Sequence, residues 1–208
     1  MNDTQFKKVV VSVNALVPLA MIAVDAARGR LGANPVEFVL RTTGVLTLVA
    51  LFATLAITPL RKTLGWNDLI KVRRMLGLYT FFYVCLHLIT YLVFDRGLDL
   101  WGTITDVARR PFIAIGMAAF LAMVPLAATS TSGMIKRLGG KRWQMLHRLI
   151  YPIAVAGVVH FWMIVKSDVL YPAIFALVLS VLLGYRLLPK IKTAAVKTAV
   201  SKGSSSSP

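Results

Sequence analysis

The 208-residue sequence predicts an all-α integral membrane protein: a bundle of six transmembrane helices with both termini on the cytoplasmic side. Three observations lead there. Hydrophobic residues make up 57% of the chain and charged residues only 15%, with a mean hydropathy of +0.72, where a soluble domain carries about 25% charged residues. Six apolar runs, near 9–27, 42–60, 75–94, 111–129, 146–165 and 169–188, each approach the roughly 20 helical residues that a hydrocarbon core demands. Finally, the connections alternate in charge: one set carries seventeen Lys or Arg and two acids, the other seven and six. The positive-inside rule places the first set in the cytoplasm.

Each run has its own justification. The first follows Lys7 and Lys8 and is diluted by Asn14 and Asp25. The second opens with Thr42, Thr43, Gly44 and Thr47, small positions where helices or a flat ligand can approach closely, and closes on Arg61 and Lys62. The third starts behind Lys71, Arg73 and Arg74. The segment Asp95–Arg110 that follows it has room for one amphipathic turn on the membrane surface, near Leu98–Ile104. The fourth run carries Gly116. The fifth holds Pro152 and follows the basic loop Lys136–Arg142. Only Lys166, Ser167 and Asp168 separate it from the sixth, so these two helices are antiparallel neighbours. None of the runs alternates with period two, which excludes barrel strands. Residues 1–192 are read as a single six-span domain, and 193–208, with its Ser-Ser-Ser-Ser-Pro ending, as a disordered tail. No cleavable leader is expected.

Composition excludes several functions. A single cysteine, Cys85, rules out a disulfide framework and a thiolate metal cluster. The sequence has no dinucleotide-binding or Walker glycine loop. Topology accounts for the net charge of +16, so its partner is membrane lipid and not nucleic acid.

The three histidines carry the chemistry. An imidazole inside a span is costly unless it has a partner. His87 and His160 fall at nearly the same depth, some 10 Å below the outer edge at a rise of 1.5 Å per residue, on spans running in the same direction. Two imidazoles so placed can clamp a planar metallocofactor from both sides. Phe81, Phe82, Tyr83 and Phe161 would line an apolar pocket around it. His147 lies at the inner end of the fifth span, about 20 Å from His160 along the axis and off its face unless Pro152 bends the helix. Its counterparts on the third span are Arg73 and Arg74, which cannot ligate iron but can pair with an anionic cofactor group. With Arg142, these residues make an inner site for a haem with one protein ligand, a flavin or a quinone. The rival reading is a cofactor-free transporter or assembly subunit whose histidines relay protons or pack.

The stretch Lys71-Val72-Arg73-Arg74-Met75-Leu76-Gly77-Leu78-Tyr79, the pair Leu86-His87, the stretch Arg142-Trp143-Gln144-Met145-Leu146-His147-Arg148-Leu149-Ile150-Tyr151, and His160 carry a likeness. Over about residues 9–190 the chain resembles the ferric-reductase-like transmembrane family. Within that family it is most similar to the haem-binding membrane subunits of bacterial periplasmic methionine sulfoxide reductase systems. The resemblance implies a b-type haem protein of the bacterial inner membrane that passes electrons to an exported molybdopterin enzyme and is not itself the reductase. It also implies quinol or a cytoplasmic flavin reductase as donor, with FMN and quinone as further cofactors. Carried over by position, His87 and His160 ligate the outer haem and His147 serves the inner site. The larger relatives have paired histidines for two haems and an appended flavin domain; here Arg occupies 73 and 74, and the reductant is expected from outside the chain.

Overall fold

Short polar signals start and stop the helices. In the computed structural model, which describes residues 2–165 and 167–186, Asn2 and Gln5 form a capping box that opens α1 (Asp3–Ala27). Asn34 caps α2 (Pro35–Leu64), Pro35 fills the first helical position, and Gly65 ends the helix at φ 71°. α2 therefore starts well before the apolar run at 42, and its first turns carry a Glu37–Arg41 ion pair of 2.6 Å one turn apart. After a 3₁₀ turn, Asn67–Leu69, comes α3 (Ile70–Ile89), which passes directly into a π-helical turn, Thr90–Asp95.

α4 (Leu100–Arg109) is the surface helix expected between the third and fourth runs, displaced toward the C-terminus because Asp99 caps it by accepting from the Gly102 amide at 2.9 Å. It buries Thr103 and Asp106 and leaves Leu100, Trp101 and Ile104 exposed. Asp106 accepts from the Tyr91 hydroxyl at 2.9 Å and pairs with Arg96 and Arg110 at 3.3 and 3.2 Å, which locks the π turn to α4.

α5 (Pro111–Ala128) returns across the bundle, followed by the short helices α6 (Ser132–Leu138) and α7 (Gly140–His147), then α8 (Ile150–Ile164) and α9 (Leu170–Arg186). The fifth run is thus two helices and not one bent helix. Pro152 has no N–H to offer the Arg148 carbonyl, and its ring crowds that carbonyl, so the chain breaks at Arg148–Leu149. The segments 3–27, 35–64, 67–95, 111–128 and 140–164 are long and apolar enough to cross a membrane, and 170–186 is a shorter apolar helix. The expected tail, 193–208, and the end of the last run, 187–188, lie outside the described residues.

α2 is the central element. Its Leu48, Leu51, Phe52 and Leu55 pack with Ala154 and Val158 of α8 and Leu179 of α9. A second cluster joins Met123 and Leu126 of α5 to Ile153 of α8, with Phe81 and Val84 of α3 against it. α1 buries none of its residues. Three contacts tie it to the third-helix region: the Tyr83 hydroxyl donates to the Ala15 carbonyl, the Ser12 hydroxyl meets the Met75 sulfur at 3.7 Å, and Lys7 bridges to Asp68 at 2.6 Å.

Candidate functional site

His87 projects from the last turn of α3, and His160 from the last turn and a half of α8. Helix packing brings these rings together, with centroids 6.2 Å apart and planes at 88°. Each ring is oriented by a backbone carbonyl of a neighbouring helix. His87 Nδ1 lies 3.0 Å from the Leu40 carbonyl on α2, with the Thr43 hydroxyl at 3.4 Å; His160 Nδ1 lies 2.6 Å from the Phe112 carbonyl on α5. A carbonyl accepts from Nδ1–H, so the tautomer is fixed and the lone pair sits on Nε2. Neither Nε2 has a hydrogen-bond partner among the described residues.

Two glycines make room for the rings. A Cβ at Gly44 would meet His87 Cε1 at 3.2 Å, and one at Gly116 would meet His160 Cε1 at 2.8 Å and Nδ1 at 2.9 Å. Among the described residues no three His, Cys, Asp or Glu side chains converge on a point. Among the described residues, then, no third His, Cys, Asp or Glu joins the two opposed imidazoles. A tetrahedral zinc site is not built here. The set suits a first-row metal whose remaining ligands come from a macrocycle, and the ring separation accommodates one ion with metal–nitrogen bonds of about 2 Å on each side.

The anticipated lining residues face several ways. Phe81 stacks on Phe120 at 6.1 Å within the second core cluster, Tyr83 is buried against α1, and Phe161 meets Phe175 edge-on at 5.8 Å. Phe112, which the sequence does not single out, comes nearest the imidazoles, its ring 6.5 Å from that of His160.

At the other end of the bundle, His147 terminates α7. Its ring stacks on Trp143 at 3.9 Å, Nδ1 lies 3.1 Å from the Trp143 carbonyl, and Nε2 is buried without a partner among the described residues. Arg73 is half-buried and within electrostatic reach of His147. Arg74 instead donates to the Ser132 hydroxyl at 3.1 Å, at the start of α6, and Arg142 is exposed on α7. The stacking of Trp143 follows from its position one turn before His147.

A helical membrane bundle that opposes two imidazoles from different helices defines a class of membrane redox carriers. The family model described as "Ferric reductase like transmembrane component" matches residues 42–158, a range that contains His87, Gly44 and Gly116 and ends two residues before His160. Three relatives share the name "Protein-methionine-sulfoxide reductase heme-binding subunit MsrQ". The protein from Ralstonia nicotianae is 55% identical over 174 residues, 83% of this chain and 80% of the relative. That from Rhodospirillum rubrum is 49% identical over 186 residues, 89% of each, and that from Xanthomonas axonopodis pv. citri is 45% identical over 192 residues, 88% and 87%. No solved structure matches the chain. The chain belongs to the ferric-reductase-like transmembrane family and, within it, to the MsrQ group.

Proposed function

We propose that this protein is the haem-binding membrane subunit of a methionine sulfoxide reductase system. It serves as a one-electron intermediary between a donor on the cytoplasmic side, quinol or a flavin reductase, and an exported MsrP-like molybdopterin reductase that repairs oxidised periplasmic proteins. One observation carries the reading: the His87 and His160 rings, from different helices, oppose each other with centroids 6.2 Å apart. Relatives at 45–55% identity named as haem-binding subunits support it.

In this reading His87 and His160 would hold a b-type haem. Bound there, the haem supplies reversible one-electron transfer. The protein's work is positional. Leu40 and Phe112 hold the two rings in the ligating tautomer, Gly44 and Gly116 keep the space beside them clear, and the leucine-rich core of α2 and α8 keeps water away. His147, with Arg73, Arg74 and Arg142, forms the inner site, which takes a second haem, FMN or a quinone. The segments 28–41 and 95–110 are the docking side for the exported enzyme. The subunit makes no bond to the methionine sulfoxide substrate.

The test is spectroscopic. Full-length protein purified in detergent should yield haem by pyridine-haemochrome assay and show a low-spin bis-imidazole optical and EPR signature. His87→Ala and His160→Ala should each abolish that signature. A spectrum unchanged in both variants would overturn the ligand assignment.

A further inference from the structure

Arg186, near the end of α9, is held in an unusual way for a cation. The Leu55 carbonyl on α2 would ordinarily accept from the amide four residues on, but that residue is Pro59 and has no N–H. Arg186 Nη2 fills the vacancy at 2.5 Å, Nη1 donates to the Tyr151 hydroxyl at 2.7 Å, and the guanidinium lies 5.1 Å over the Tyr151 ring. Both acceptors are neutral. The third donor, Nε, is buried with no partner among the described residues. Arg73 lies within electrostatic reach, so a further positive charge shares the neighbourhood.

A guanidinium bonded to the carbonyl of the fully buried Leu55 and facing another cation needs a counter-anion. The chain cannot provide one from its side chains. The sequence has eight carboxylate residues, none of them in 187–208. On this side of the bundle only Asp3 and Asp68 occur, and Lys7 and Lys71 hold both at 2.6–2.7 Å on the face next to α1. The other six, Asp25, Glu37, Asp95, Asp99, Asp106 and Asp168, belong to the opposite end.

We propose that Arg186 and Arg73 form a binding site for an oxyanion, a carboxylate or phosphate carried by the molecule in the inner site, with Tyr151 and the Pro59-freed carbonyl of Leu55 setting the angle of the fork. The proposal rests on the reading of the inner site given above. Nε of Arg186 is the donor that the oxyanion takes up, and Arg73 links this charge to His147. A charge-assisted bond of this kind is worth roughly tenfold in affinity.

The test compares the full-length protein with Arg186→Gln, Arg186→Lys and Arg73→Gln in nanodiscs of neutral phosphatidylcholine, with and without added phosphatidylglycerol. Haem and flavin per chain are measured after dilution, together with the midpoint potential and the thermal unfolding midpoint. Arg186→Gln is expected to retain the inner cofactor about tenfold less well, with Arg186→Lys intermediate and the His87/His160 low-spin signature unchanged. Loss of haem alone identifies a carboxylate, loss of flavin a phosphate; dependence on phosphatidylglycerol identifies a lipid phosphate. Arginine variants that match the parent in cofactor content, potential and unfolding midpoint in both lipids overturn the proposal. If the low-spin signature is missing from the parent itself, the failure lies with the haem assignment and not with Arg186.

Discussion

At Gly116, His160 occupies space that any larger residue would claim. An alanine methyl would come within 2.9 Å of two ring atoms, and the ring cannot yield because the Phe112 carbonyl already holds its Nδ1. Gly116→Ala should therefore lose the low-spin signature almost completely, while Gly44→Ala, whose methyl meets His87 at 3.2 Å, should keep part of it. Gly77→Ala is the contrasting case. Its methyl would reach only Thr54, at 3.9 Å, so helix propensity should prevail and stabilise the protein by up to about 1 kcal/mol with an unaltered spectrum. Absorption spectra and thermal unfolding of the three variants check this order. Much at this scale was legible in the sequence: the matched depth of His87 and His160, and the small residues Gly44 and Gly116. The orienting carbonyls of Leu40 and Phe112 were not, because which carbonyl meets a ring depends on how each helix is rotated, and packing alone decides that. The bonding of Arg186 was not legible either, since a cation at a span's end carries no sign of the proline on another helix that gives it a partner.

Among the elements, the two departures from plain α-helix have separate causes and separate tests. The break at Arg148–Leu149 comes from Pro152, which lets α7 set the direction of His147 independently of α8. Pro152→Ala supplies the missing N–H to Arg148, so the amides at 149–152 should gain protection in hydrogen exchange as α7 and α8 fuse; unchanged exchange there would show that the break has another origin. The Pro152 signal was visible in the sequence, but bend and break look alike without the packing of α7. The π turn at Thr90–Asp95 had no sequence signature. It is held from outside, by the bond from Tyr91 to Asp106 and the pairing of Asp106 with Arg96 and Arg110. Asp106→Ala leaves the inward side of Arg96 without a carboxylate and should cost about 3 kcal/mol in unfolding measurements in nanodiscs. Asp106→Asn, which can still accept from Tyr91, should cost less.

Over the whole molecule, charge and hydropathy made the architecture legible, because hydrocarbon leaves the backbone few options other than helices. The one apolar run that behaves differently is the first: α1 hides no side chain and touches the bundle through a few polar contacts with α3 and the turn before it. Tyr83→Phe removes one of these and should cost about 1 kcal/mol while sparing the haem spectrum. The direction of insertion rests on the seventeen-to-seven split of basic residues between the two sides. A fluorescent protein fused after residue 208 should glow, and alkaline phosphatase at the same point should be inactive; phosphatase inserted near Leu98 should be active. The reverse pattern would invert the topology.

His87 and His160 stand on helices made at very different times during translation. When α3 emerges from the ribosome, its imidazole has the Leu40 carbonyl and the Thr43 hydroxyl of the preceding helix to meet, and the opposing ring arrives after α8 has been synthesised and inserted. On the proposed ligand assignment, capture of a haem between them is a late event in biogenesis, and a nascent chain arrested before Ile150 should lack the low-spin bis-imidazole signature.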